Sequence, residues 1–390
     1  MIVAGEASGD AHAAALVTAL KERAPETEFH FFGATGREMR RSGVEPTLRS
    51  DDLSIVGLAE IGRALPRFLS AYRTLKSAAI GGKPDAVVLV DWPDFNLRLA
   101  RALHRRGLRV IYYISPQLWA WRSHRVRNIR RDVDLLLTIL PFEKDWYDQR
   151  GVGHVEFVGH PLAGTVRAGM SRGEFFYSHG LDPQRPLIAL LPGSRRKELE
   201  RILPCMLEAA RRLSQKRPEI QFVIALAPGR AVIEVEAHVK RAQEARGLSS
   251  PLVIVQNETR EALAASDAAA ITSGTATLEA ALLFVPQVIV YKESLLNWNI
   301  LGSLISTEHY GLPNLIAGER LATELIQNDL TGERLAEELL ALLDPERNRE
   351  FRARLIETTR RLGEGGASTR AADAIVRAVR QWKQSQTKMP

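Results

Sequence analysis

One run constrains this chain more than any other. Leu187-Ile188-Ala189-Leu190-Leu191 ends in Pro192-Gly193-Ser194-Arg195 and passes at once into a helical pattern from Glu198. An unbroken apolar run without polar alternation suits a strand buried on both faces, as in a parallel sheet. Gly193 lets the backbone turn tightly and brings main-chain amides close to a ligand. Ser194 is a good helix N-cap, and the helix start behind it presents free N–H groups and a positive dipole end. Arg195 and Arg196 add full positive charge. The chemistry favoured there is the holding of a phosphate or diphosphate. The plain alternative is an ordinary strand–loop–helix joint.

The same arrangement recurs along the chain. Strands are expected at Ile2–Ala4, Glu28–Ala34, Asp85–Asp91, Arg109–Ser115, Asp134–Leu140 and Val155–Val158, with helical patterns between them, the first over Ala11–Lys21. A second series follows at Pro186–Leu191, Ile220–Ala227, Leu252–Gln256, Ala268–Thr272 and Gln287–Tyr291. Apolar strands alternating with helices predict an α/β fold with two Rossmann-like, doubly wound domains. The expected boundaries are 1–165, 166–355 and a C-terminal helix with a polar tail over 356–390. After Glu319 only helix is expected, and Lys383–Pro390 reads as a frayed end.

Length and composition set the limits. A chain of 390 residues with 45% hydrophobic and 25% charged residues is globular and has room for two cores. No apolar run is long enough for a transmembrane helix, and no basic leader precedes Ile2. The single Cys205 cannot form an intrachain disulfide and fits a reducing cytoplasm. Scattered histidines and one cysteine give no metal pattern. The net charge of +7 is largely local. Ten arginines lie between Arg98 and Arg131 with no acidic residue among them, which points to an anionic partner. No nucleic-acid-binding motif accompanies them.

Further candidates stand at strand ends, where open α/β sheets hold ligands. Asp91-Trp92-Pro93-Asp94-Phe95-Asn96 offers two carboxylates, one to act as a base and one to cap or orient. Ser115-Pro116-Gln117-Leu118-Trp119-Ala120-Trp121 offers indoles for sugar or acyl packing, or for core. Ser273-Gly274-Thr275-Ala276-Thr277-Leu278-Glu279 repeats the strand–loop–helix device: Gly274 and Thr275 offer amides to phosphate, and Glu279 can accept from ribose hydroxyls. Asp132-Val133-Asp134 has the spacing of metal-dependent sugar transferases but precedes its strand, and reads as a strand entrance. Ile61, Leu65, Phe68, Leu69, Tyr72 and Leu75 share one helical face beside basic residues. That is a core-facing helix or, alternatively, an interfacial or acyl-binding one.

Taken in order, these motifs, with Gly5-Glu6-Ala7-Ser8-Gly9-Asp10, Leu140-Pro141-Phe142-Glu143, Phe157-Val158-Gly159-His160 and Leu312-Pro313-Asn314-Leu315, resemble the lipid-A-disaccharide synthase family from about residue 1 to about residue 330. The resemblance implies a glycosyltransferase B fold, two Rossmann-like domains facing across a cleft. It implies an inverting transfer of 2,3-diacylglucosamine from UDP-2,3-diacylglucosamine to 2,3-diacylglucosamine 1-phosphate, giving a β-1,6 disaccharide in bacterial lipopolysaccharide synthesis. It implies a cytoplasmic enzyme peripheral on the inner membrane, without cofactor, metal or nucleic acid. UDP then falls to Gly193, Ser194, Arg195, Ser273, Gly274, Thr275, Glu279 and Asn314. The acceptor side falls to Glu6, Ser8, Gly9, Asp10, Trp119 and His160, the base to Asp94 or Asp91, and acyl chains to the Ile61–Tyr72 face. The first strand opens almost at Met1, earlier than the family pattern, which leaves the native start open. Another UDP-sugar transferase or a UDP-sugar 2-epimerase of the same fold is the alternative. A non-enzymatic basic binder is a third.

Overall fold

A computed structural model describes residues 1–50, 61–244, 248, 250–294, 298 and 307–387. The chain divides into two compact units, residues 1–163 with 362–390, and residues 164–361.

The first unit carries a seven-stranded parallel sheet in the order β3-β2-β1-β4-β5-β6-β7. In chain order its elements are β1 (Ile2–Ala4), α1 (Ala7–Arg23), β2 (Phe32–Thr35), α2 (Arg37–Arg41), β3 (Glu45–Arg49), α3 (Ile61–Gly82), β4 (Val87–Val90), α4 (Pro93–His104), β5 (Val110–Tyr113), α5 (Val126–Asp132), β6 (Leu135–Thr138), α6 (Glu143–Asp148) and β7 (Val155–Phe157). Side chains alternate across a strand, so each strand feeds two cores. Val3, Leu89, Val110, Tyr112 and Leu136 pack on one face, and Ile2, Val90, Ile111, Tyr113 and Leu137 on the other. This two-sided burial is why the strands read as continuous apolar runs.

The second unit repeats the plan with six parallel strands in the order β10-β9-β8-β11-β12-β13. Its elements are α7 (Arg172–Ser178), β8 (Leu187–Leu191), α8 (Arg196–Lys216), β9 (Gln221–Leu226), α9 (Ile233–Glu244), β10 (Leu252–Gln256), α10 (Thr259–Ala265), β11 (Ala268–Thr272), α11 (Thr275–Leu282), β12 (Gln287–Tyr291), α12 (Leu312–Ala317), β13 (Glu324–Ile326), α13 (Gly332–Leu342) and α14 (Pro345–Arg360). Leu190, Ile224 and Ala270 face one core, and Ala189, Val223 and Ile271 the other.

The last helix, α15 (Ala367–Thr387), belongs to the first unit. Its Ala371, Ala372, Ala374 and Ile375 pack with Leu16, Val17 and Leu20 of α1. Lys383 pairs with Asp85 at 2.8 Å, so the expected frayed end is helical through Thr387. Two strands escaped the sequence reading. β3 has no buried residue, and β13 is three residues long. Each lies at a sheet edge, where two-sided apolar burial is not required.

The strand orders matter for function. In each sheet the chain reverses direction of travel once, between β1 and β4 and between β8 and β11. Val3 lies beside Leu89 and Leu190 beside Ala270 at these positions. Open sheets hold ligands outside the carboxyl ends of the strands at such switch points.

Candidate functional site

In the first unit the switch point brings Gly5 and Glu6, after β1, against Asp91 and Trp92, after β4. The approach is close: a β-carbon on Gly5 would lie 2.1 Å from Trp92 Cδ2. Glycine is therefore required by the indole, which also stacks on Phe95 with centroids 4.0 Å apart. Asp91 and Trp92 both adopt left-handed backbone angles, φ 49° and 52°. Such conformations cost about 1–3 kcal/mol each and persist where the surroundings impose them, commonly at functional sites. Here Asn96 Nδ2 and the Tyr112 hydroxyl donate to the Asp91 carbonyl at 2.7 and 2.6 Å. The half-buried Asp91 carboxyl is pushed up to about 6 by burial and then by the neighbouring Glu6.

Asp94 stands one turn on, in the first turn of α4, with its side chain exposed. Its Oδ1 accepts from Arg122 Nη1 at 3.0 Å and from Arg125 Nη1 at 2.7 Å. Arg122 has φ 56°, and its guanidinium lies over the Trp121 ring, 4.2 Å from the centroid. The arginine-rich stretch is thus divided. Arg122 and Arg125 serve Asp94, Arg109 serves Asp134, and Arg131 serves Asp132. Asp134 also accepts the Val110 N–H at the entrance to β6.

Other expected acceptor-side residues have structural partners. Ser8 is exposed and Gly9 is buried in the first turns of α1, which begins at Ala7 and not at Ala11. Asp10 is buried and accepts the N–H groups of Gly36, Glu38 and Met39, so it caps α2 from a distance. Trp119 is buried and donates Nε1 to Glu143 at 3.0 Å. His160 is buried, its Nδ1 accepts from the Leu162 N–H, and its pKa is lowered to about 4 by burial and then by His12.

Glu143 closes the Leu140-Pro141-Phe142-Glu143 motif, to which sequence alone assigns no role. It is buried, and its Oε2 accepts from the Ile139 and Leu140 N–H groups while its Oε1 accepts from Trp119 and from the Ser115 hydroxyl. Burial outweighs these bonds and pushes its pKa up to about 7. The sequence signal was a carboxylate opening a helix directly after Leu140-Pro141-Phe142. Its partners lie 24 and 28 residues upstream, beyond local inspection.

Of the expected acyl face, Ile61 and Leu65 have side chains outside the described residues, as does the stretch 51–60. Phe68 packs against Trp92 and Phe95, and Tyr72 against Phe95. Leu75 is buried, whereas Leu69 is 47% exposed. The described part of α3 is therefore a core helix with Leu69 left outside.

In the second unit the switch point brings the 192–195 loop beside Ser273, Gly274 and Thr275. Gly193 has φ 115°. The N–H groups of Ser194 and Arg195 converge on Glu198 Oε2 at 3.0 and 3.1 Å, and Arg195 Nη1 donates to Oε1. The loop is an anion cradle, and the anion it holds is its own glutamate. Arg195, not Ser194, is the N-cap of α8. Glu279 is likewise engaged, accepting from Arg260 Nε and Nη2 at 2.9 and 2.7 Å. Ser273 donates its hydroxyl to the Tyr310 carbonyl, while Gly274 and Thr275 are exposed. Asn314 is fully buried; its Nδ2 donates to the Ala322 carbonyl and to Glu324, and its Oδ1 accepts from the Ala322 N–H. It braces the segment that carries Tyr310. Among the described residues no group of three or more metal-ligating side chains occurs.

The chain is similar to known proteins over nearly its whole length. Residues 1–379 match the family of lipid-A-disaccharide synthetases. The lipid-A-disaccharide synthase of Trichlorobacter lovleyi is 43% identical over 98% of this chain and 97% of its own length. Among solved structures, a putative UDP-N-acetylglucosamine 2-epimerase from Listeria monocytogenes has a TM-score of 0.65 at 17% identity, covering 98% of this chain and 96% of its own. The calicheamicin glycosyltransferase has a TM-score of 0.57 at 16% identity, covering 97% and 96%. These structures share the fold, two doubly wound parallel-sheet domains of the glycosyltransferase B class. The switch-point loops, the arginine-held carboxylate and the anion cradle thus stand in a chain that belongs to the lipid-A-disaccharide synthetase family.

Proposed function

We propose that the chain transfers 2,3-diacylglucosamine from UDP-2,3-diacylglucosamine to 2,3-diacylglucosamine 1-phosphate, with inversion, forming a β-1,6 disaccharide and UDP. Membership of the family over residues 1–379 supports the reaction. The observation that carries the assignment of roles is the pairing of loops at each switch point, carboxylates in the first unit and an anion cradle in the second.

The second unit binds UDP. The diphosphate takes the amides of Ser194 and Arg195 and the Arg195 guanidinium, with Gly193 giving close backbone access. Gly274, Thr275 and Ser273 form the other wall, and Glu279 accepts from the ribose. Asn314 acts by holding its segment in place. These fixed donors balance the charge that grows on departing UDP. The first unit binds the acceptor near Glu6, Asp91 and Asp94. Asp94 is the base, because its carboxylate is exposed to an incoming hydroxyl. Asp91 orients the loop, and its raised pKa makes it the second choice. Gly9 and Asp10 shape the turn, and Trp119 and His160 support the neighbouring loops.

No helix among the described residues is long and apolar enough to cross a membrane. The exposed Leu69 and the adjoining basic residues support a peripheral seat on the cytoplasmic face of the inner membrane. The test is release of UDP from UDP-2,3-diacylglucosamine by purified protein. Release only when diacylated acceptor 1-phosphate is present, with a disaccharide product, is expected. Conversion of the nucleotide sugar without any acceptor points to an epimerase and sinks the reading.

A further inference from the structure

The base assigned above is not free. Asp94 Oδ1 is held by two guanidinium groups, so the oxygen facing them is already engaged. Each arginine gives Asp94 one Nη1 donor and keeps further N–H donors, in a fork suited to phosphate. Arg125 is partly buried and Arg122 lies over Trp121, so both forks are held beside Asp94, within a side-chain rotation of an anion bound there. The acceptor assigned to this unit carries one strong anion, its 1-phosphate.

We infer that Arg122 and Arg125 recognise the acceptor's anomeric phosphate and, by turning to it, release Asp94 to act as the base. This rests on the functional reading above and adds the residues that make it specific for a phosphorylated acceptor. The dianionic phosphate, with three acceptor oxygens, outcompetes a single carboxylate oxygen for the two forks. Asp94 then accepts the proton of the acceptor 6-hydroxyl. That oxygen forms the bond to the donor's anomeric carbon, and the bond from this carbon to the UDP oxygen breaks with its electron pair leaving on UDP. The phosphate stays on the product. An acceptor lacking phosphate leaves Asp94 paired, and transfer to it is slow.

The experiment compares 2,3-diacylglucosamine 1-phosphate with 2,3-diacylglucosamine in mixed micelles, reading binding and turnover separately. Asp94→Asn removes the carboxylate that competes for the arginines. It should therefore bind the phosphorylated acceptor roughly two- to tenfold more tightly than wild type, the range set by two exposed ion pairs, while turning it over poorly. Its binding of the unphosphorylated acceptor should show no such gain. Arg122→Gln/Arg125→Gln should lower the wild-type preference for the phosphorylated acceptor by about 10²-fold, because two charge-assisted contacts are lost. If that variant melts early, Arg122→Lys/Arg125→Lys replaces it, with a smaller loss of the same preference expected. Phosphorylated acceptor bound no more tightly by Asp94→Asn, or a preference that survives in the folded double variant, overturns the inference. Absence of transfer by the wild-type protein speaks against the reaction itself, and the binding comparison still decides the role of the arginines.

Discussion

The Oε2 atom of Glu198 lies 3.0 Å from the main-chain nitrogen of Ser194, and so occupies an amide that we propose receives the UDP diphosphate. A carboxylate there stabilises the start of α8 by about 0.3–1 kcal/mol. It also opposes a diphosphate by charge. Glu198→Gln keeps an oxygen acceptor and loses the charge. UDP should bind roughly two- to fivefold more tightly, measured by calorimetry, with a small fall in melting temperature. Weaker binding would mean that the charged glutamate organises the cradle and does not merely occupy it. Arg195→Ala should act oppositely and lower kcat/KM by about 10²-fold.

The 91–94 loop makes a prediction with a pH sign. Asp94→Asn should lower turnover by about 10²–10⁴ while UDP binding stays near normal. Asp91 has a folded pKa of about 6 against an ordinary value of 3.8. Its neutral form therefore favours the fold below pH 4, and that advantage is lost as pH rises from about 4 through about 6. Asp91→Asn should be more stable than wild type at pH 7 by about 1–3 kcal/mol, read from denaturant unfolding. Activity of the wild type should fall as pH drops through about 6, and this limb should vanish in Asp91→Asn. A limb that persists there belongs to another group.

Glu143 gives a stability prediction. Its four donors leave no side of the carboxylate for an NH₂ group. Glu143→Gln must set that NH₂ against either two main-chain N–H groups or the Trp119 and Ser115 donors. The expected loss is about 1–3 kcal/mol by chemical denaturation. Unchanged stability would mean that the pocket rearranges around the amide.

Phe68 and Leu69 are adjacent and should behave differently. Phe68→Ser removes a ring packed on Trp92 and Phe95 and should destabilise the first unit by about 2–4 kcal/mol. Leu69→Ser should leave the melting temperature unchanged and weaken sedimentation with anionic vesicles, since each buried methylene contributes about 0.8 kcal/mol to membrane attachment. Equal vesicle binding by wild type and Leu69→Ser would remove this residue from any membrane contact.

The central strands were legible because burial on both faces writes itself as an apolar run, as in Val87–Val90 and Leu187–Leu191. β3, with Glu45 and Arg49 exposed, carries no such mark. The loops at the carboxyl ends of the strands were legible for the same reason: each directly follows a run. What each side chain does there was not. Asp10, read as a turn residue near the acceptor, caps a helix whose amides begin 26 residues on. Trp119, read either as sugar or acyl packing or as core, is buried and donates to Glu143. Arg122 and Arg125 stood out only as part of a basic stretch; their choice of Asp94 depends on how β4 and β5 lie side by side. Glu198, three residues after the N-cap, folds back on the amides as a glutamate there commonly does, but the N-cap expected at Ser194 put it one position out of register.

The docking of α15 on α1 has a consequence for how the protein is made. Arg23 pairs with Asp373, and Glu26 with Arg380, across separations of 350 and 354 residues. A ribosome delivers the seven strands of the first unit, then the whole of the second, and only then the helix that covers Leu16, Val17 and Leu20. At ordinary synthesis rates that interval is on the order of ten seconds or more. Until then the stripe of α1 that α15 covers stays open to solvent, a natural place for a chaperone to bind. The unit synthesised first is thus completed last.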